Sequence, residues 1–170
     1  MHRLTAPLAA LCLAALAACA AGPQGGYRDG GRTIASAALF DPAKFADVWH
    51  IVAAYGADAT CGPLAQTWTP MGEGRFDVTG TACGPRGSRA FAATAVLTGP
   101  GRITFDGPRG REELWVLWTD DTYRVAAIGT PDGSLGWIVA RRPDVPADLY
   151  EAAREVLDFN GYDTDRLVRL

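Results

Sequence analysis

The chain has 170 residues, 48% of them hydrophobic, and a formal net charge of −3. That length holds one domain with a real core, and the absence of any basic block argues against nucleic acid as a partner. With His2 and His50 as the only histidines, a His-pair catalyst or a His-rich metal site is excluded as an expectation.

Residues 1–18 read as a leader. MHR is a short positive start, LAALCLAALAA is an apolar run too short for a permanent membrane span, and LAAC closes it at Cys19. Small residues before a cysteine resemble the lipobox of bacterial lipoproteins, which implies cleavage after Ala18 and lipidation of Cys19. The alternative is an ordinary secretory peptide with Cys19 unmodified. Cleavage removes one Arg and no acid, taking the charge from −3 to −4. Ala20 rather than Asp follows Cys19, which in Gram-negative lipoproteins favours an outer-membrane address facing the periplasm. Acyl chains anchor because each buried CH₂ contributes roughly 0.8 kcal/mol. Residues 19–38, rich in Gly and polar groups, read as a flexible tether, and 39–170 as the folded domain.

The domain is mostly strand. Apolar and β-branched runs at 49–55, 63–70, 75–82, 89–98, 102–106, 113–119, 122–129 and 135–141 alternate with Gly, Pro and Asp turns. Eight strands with short connections predict an all-β, antiparallel up-and-down barrel or a sandwich. Centring the second hairpin on Gly72 pairs Trp68 with Phe76, Gln66 with Val78 and Leu64 with Gly80, which separates an apolar from a polar face. The same register opposes Cys61 and Cys83. With Cys12 in the leader and Cys19 lipidated, they are the pair left in an exported chain, and a disulfide is expected. One helix is predicted within 144–163, with Pro146 early, Asn160-Gly161 as a stop, and Leu149, Ala153, Val156 and Leu157 as its apolar stripe. A short extended tail, DRLVRL, follows.

Three segments carry a family resemblance: FADVWHIVA around Trp49, TDDTYRVAAIGTPDGSLGWIVARRP at 119–143, and the helix ending in NGYD. The chain resembles a lipocalin, most nearly the bacterial outer-membrane and apolipoprotein D-like branch, over residues 39–170. The resemblance implies an eight-stranded antiparallel up-and-down barrel with the C-terminal helix packed outside. It implies that Trp49 plugs the closed end and that Arg141 packs over it. The family's Gly-x-Trp is DVW here, and Ala46 or Asp47 in the glycine's place predicts a less strained entry.

Such a barrel holds side chains or one small ligand. Strand alternation places Ile51, Ala53 and Tyr55 inward. The hairpin adds Leu64, Trp68, Phe76 and Val78, and the family pattern adds Phe91, Ala93, Ala95 and Leu97. Leu114, Val116 and Trp118 share one face, as do Trp137 and Val139. Ligand contacts are therefore expected from Tyr55, Trp68, Phe76, Phe91, Ala93, Ala95, Leu114, Val116, Trp118 and Trp137. Tyr55, Arg89 and Arg124 are candidates for a polar head group. The expected ligand is a fatty acid or lysophospholipid, held for storage, transport or membrane maintenance, without cofactor or metal. The alternative is a side-chain-filled barrel with a structural or interaction role.

A lipocalin-type enzyme has less support. The domain cysteines are committed to a bridge, His50 faces outward, and no GxSxG occurs. Glu112-Glu113 and Asp120-Asp121 read as solvated strand ends or turns.

Overall fold

A computed structural model describes residues 26–170. The expected leader and the Cys19 lipidation site lie outside the described residues. The elements are α1 (Pro42–Phe45), β1 (Asp47–Ala54), β2 (Leu64–Gly72), β3 (Arg75–Gly84), β4 (Gly87–Gly99), β5 (Arg102–Gly107), β6 (Gly110–Thr119), β7 (Val125–Gly129), β8 (Gly136–Ala140), α2 (Ala147–Phe159) and β9 (Val168–Arg169). Strands β1 to β8 pair in order, all antiparallel, and β1 closes the sheet against both β8 and β2. The barrel is closed, and β9 adds a ninth strand outside it on β1.

One end is closed by α1 and Trp49. Asp41 caps α1 by accepting from the Ala43 and Lys44 amides, and Pro42 begins it. This turn seats Phe45 under the barrel, fully buried. Trp49 donates from Nε1 to the Phe45 carbonyl at 2.7 Å, and its ring lies 5.1 Å from that of Phe45. The Arg141 guanidinium covers the indole at 3.9 Å from its centroid. Arg141 also donates to the carbonyls of Lys44 (2.6 Å), Val48 (2.9 Å) and Tyr123 (3.1 Å). It thereby ties α1, β1 and the β6–β7 turn together. Asp47 enters β1 at φ 84°. The expected relief of strain is absent: an Asp occupies the left-handed region where glycine is free of penalty.

Two bulges reset the alternation. The β1–β8 register shifts between Ile51 and Ala53, so Val52 and Ala53 both face outward and Ala54 faces the interior. The β6–β7 register shifts between Val116 and Trp118, turning Leu117 and Trp118 outward. The second bulge leaves the Val116 carbonyl to accept from the Ala37 amide at 2.8 Å.

The helix is shorter than the 144–163 expectation but packs as expected, with Ala153 and Leu157 against the outer wall. Tyr150 joins that face. Beyond it, the Tyr162 hydroxyl lies 2.8 Å from the Leu135 carbonyl and accepts from the Thr130 amide at 2.7 Å. A Cβ at Gly129 or Gly136 would strike the Tyr162 ring, so both glycines are required for close approach rather than for φ.

Residues 26–38 are not a free tether. Tyr27 donates to the Gly133 carbonyl and accepts from the Asp163 amide, and its ring stacks on Tyr55 at 4.8 Å. Asp29 donates to the Gly161 carbonyl, and Ala35 donates to Asn160 Oδ1. The segment is a strap across the outer wall, held because its amides meet otherwise unpaired carbonyls.

Candidate functional site

The barrel interior is graded. Near Trp49 it is filled by Phe45, Trp68, Phe76, Val78, Ala95 and Phe105, all buried. Toward the opposite end, Phe91, Ala93, Cys61 and Cys83 pack on the same cluster while half-buried. The turn 56–59 after β1 lies across this end, and its Asp58 is 3% exposed.

Asp58 is the centre of the polar constellation there. Its Oδ2 accepts from Arg109 Nη1 at 2.8 Å and from Trp137 Nε1 at 2.9 Å. Arg109 also donates to Glu112 from Nε at 3.1 Å. Its burial pushes the guanidinium pKa down, and the Asp58 and Glu112 carboxylates more than restore it, so it stays a cation. Oδ1 of Asp58 is buried and has no partner among the described residues. Beside it lies a cavity lined by Ile51, Leu64, Phe91, Phe105 and Trp137, with Gln66, Thr81, Ala82 and Arg109 adding polar or small surface. The space open to the centre of a water molecule is ≈ 10 Å³, room for about one water. Gln66 accepts from Trp68 Nε1 at 3.3 Å, so the indole under the cavity is also anchored.

The disulfide forms, Cys61 to Cys83, with Cα atoms 5.8 Å apart. The register behind the expectation does not. Trp68 pairs with Val78, Gln66 with Gly80 and Pro70 with Phe76, two residues off, because the strands turn at Glu73-Gly74 and a bulge sits between Pro70 and Gly72. A two-residue slip keeps every side chain on its face. Cys61 precedes β2, and Cys83 pairs with Ser88 of β4, so the bridge pins the mouth turn to β3.

The expected ligand contacts divide. Trp68, Phe76, Phe91, Ala93, Ala95, Leu114, Val116 and Trp137 belong to the interior cluster. Tyr55 and Trp118 do not: the two bulges place them outside, Tyr55 between Tyr27 and Tyr162, and Trp118 on the outer wall. Ala53 moves outward for the same reason. Ala95 is fully buried and does not line the cavity beside Asp58. Of the head-group candidates, Arg89 lies at the open end, donating to the Pro108 carbonyl. Arg124 sits by the closed end, paired to Asp120 at 2.9 Å.

Nor is Asp120 a solvated turn residue. It is buried, and its carboxylate accepts from the Val125 and Arg124 amides, the Arg124 guanidinium and the Thr122 hydroxyl. Burial alone would raise its pKa; these four donors outweigh it and hold the pKa below the usual carboxylate value.

Glu112, expected as a solvated strand end, is half-buried and paired to Arg109, while Asp58 and Arg109 carried no signal in the sequence. Nothing in a short turn such as GADAT distinguishes a buried acid from a solvated one. Gln66, an amide between inward Leu64 and Trp68, was the one available signal. Among the described residues no cluster of His, Cys, Asp and Glu could hold a metal ion.

The family model for the Lipocalin-like domain matches residues 40–170. No curated protein matches the chain in sequence. Among solved structures, lobster apocrustacyanin A1 is 17% identical over 76% of this chain and 78% of its own, with a TM-score of 0.62. H1 crustacyanin from the lobster Homarus americanus is 18% identical over 74% and 75%, TM-score 0.59. The siderocalin Ex-FABP is 20% identical over 75% and 93%, TM-score 0.58. At these identities the likeness is one of fold.

Proposed function

The chain belongs to the lipocalin-like domain family, and on that premise we propose that it binds a small hydrophobic ligand at the open end of the barrel. One observation carries the reading. The apolar interior continues from the filled closed end toward the mouth through Leu64, Phe91 and Trp137, where the half-buried Thr81, Ala82 and Ala93 and the polar Gln66, Asp58 and Arg109 take over. A lipid chain enters between Leu64, Phe91, Phe105 and Trp137, beneath the turn 56–59. The polar end of the ligand stays beside Asp58 and Arg109. Single-chain lipids have this shape, and storage, transport or membrane maintenance is the corresponding role.

The test is displacement of the neutral fluorescent probe N-phenyl-1-naphthylamine from the exported chain carrying Cys19→Ser. Ala82→Trp, at the half-buried wall of the cavity, is expected to abolish probe binding while the barrel stays folded. Unchanged binding in that variant would remove the cavity from the account.

The small volume of the cavity favours a second reading, a barrel filled by its own side chains that serves as a structural or interaction module. That reading requires that no apolar probe enter at all.

Placement is part of the proposal. LAAC and the leader before it support a lipoprotein anchored through Cys19, Ala20 after it supports an outer-membrane address facing the periplasm, and the segments around Trp49, at 119–143 and at the helix end support the bacterial, apolipoprotein D-like branch. Labelling with a palmitate analogue should mark the wild-type chain and not Cys19→Ser; equal labelling of both would place the acyl group elsewhere.

A further inference from the structure

We infer that the polar end of the barrel selects a ligand head that donates a hydrogen bond and carries no negative charge, an alcohol or amide rather than a free carboxylate, with Asp58 Oδ1 as its acceptor. The inference rests on the reading above that the barrel binds a ligand.

Three observations carry it. First, both protein donors to Asp58 converge on one oxygen: Arg109 Nη1 and Trp137 Nε1 meet Oδ2. The other oxygen, on a residue 3% exposed, has no partner among the described residues. A buried carboxylate oxygen left without a donor is costly, and a site usually completes it. Second, Asp58 lines the same cavity as Leu64, Phe91, Phe105 and Trp137, so the acid and the apolar side chains border one space. Third, the cation lining this cavity is already spent. Arg109 is held by Asp58 at 2.8 Å and by Glu112 at 3.1 Å. A ligand carboxylate arriving there would face two acids and one neutralised guanidinium. Like charges in a partly desolvated site repel strongly, whereas a hydroxyl would complete Oδ1.

The geometry also predicts what Asp58→Asn does. Its amide oxygen would take over the bonds from Arg109 and Trp137. The amide nitrogen would then stand where Oδ1 stood, turning an acceptor into a donor. The preference should reverse toward ligands that accept.

The experiment measures displacement of N-phenyl-1-naphthylamine from the exported Cys19→Ser chain by three twelve-carbon probes: 1-monolauroylglycerol, laurate and methyl laurate. We expect monolauroylglycerol to displace the probe at a concentration at least tenfold below both others. Asp58→Asn should cut that ratio to threefold or less, or invert it. Laurate equal to or better than monolauroylglycerol would overturn the inference and leave the binding function standing. So would methyl laurate equal to monolauroylglycerol, since it is uncharged but has no donor. The three-probe comparison in the wild-type chain decides the question even if Asp58→Asn does not fold. Absence of binding by the fluorescent probe and all three lipids would overturn the binding function itself, and this inference with it.

Discussion

Arg141 offers the sharpest test of how the barrel is closed. Its guanidinium lies 3.9 Å from the Trp49 centroid and donates to three carbonyls on three separate segments. A cation over an indole contributes ~0.5–2 kcal/mol, more as water is excluded, and Trp49 is only 1% exposed. Hydrogen bonds to a charged group contribute about 1.5–3 kcal/mol each, less where the acceptor can turn to water. Lys44 O lies at the surface and recovers most of its bond; Val48 O and Tyr123 O recover less. Arg141→Ala should therefore destabilise the fold by at least about 3.5 kcal/mol, the sum of the lower values for one stacking and two hydrogen-bond losses. Arg141→Lys keeps the charge but cannot span three carbonyls from one planar fork, and should still lose about 2 kcal/mol. Urea unfolding of the oxidised protein, followed by tryptophan fluorescence, reads both. The melting temperature should fall by roughly 10 °C for the alanine variant, at about 3 °C per kcal/mol for a domain of this size. A loss below about 1 kcal/mol for Arg141→Ala, or a lysine variant indistinguishable from wild type, would refute the view that this fork fastens the end of the barrel.

Other consequences follow from the same structure. Replacing Cys61 and Cys83 by serine opens a loop with a sequence separation of 22 and should cost about 3 kcal/mol by loop entropy, read as a drop in urea midpoint that reducing agent reproduces in the wild type. Because Asp120 has a lowered folded-state pKa, its contribution is complete above the unfolded carboxylate value near pH ~4 and is lost as pH falls through the folded one. Asp120→Asn should weaken the protein at pH 7 and flatten its acid limb, and parallel acid limbs in the two proteins would contradict that. Asp47→Gly relieves a φ of 84° and should raise stability by up to about 1 kcal/mol, the left-handed penalty less the entropy glycine adds to the unfolded chain. A loss of more than about 1 kcal/mol would mean that the Asp47 side chain itself holds the entry to β1.

Much of the architecture was legible because it rests on periodicity and punctuation. Turn residues separated the eight strands, the stripe of Leu149, Ala153 and Leu157 demanded a wall, and two remaining cysteines flanked one hairpin. The barrel-closing pair, Trp49 and Arg141, came from family likeness and stands in contact as expected. What failed was the assumption of unbroken alternation. In HIVAA and WVLW both faces of the strand are apolar, so composition offers no contrast to show where one extra residue enters, and the bulges after Ile51 and Val116 moved Ala53, Tyr55 and Trp118 outside. The strap at 26–38 was missed because it has almost no apolar pattern; backbone amides and the Tyr27 ring hold it. Asp58 was invisible for a related reason. Its burial depends on Trp137 and Arg109, which lie 79 and 51 residues away in sequence.

The most direct test of the binding account is native mass spectrometry of the exported Cys19→Ser chain, purified without detergent from a lipid-containing host. The account predicts a reproducible added mass, released on denaturation and identified as a single-chain lipid, that is absent from Ala82→Trp. A bare protein mass that stays bare after incubation with lysophospholipid, monoacylglycerol and fatty acid would contradict it and leave a barrel filled by its own side chains.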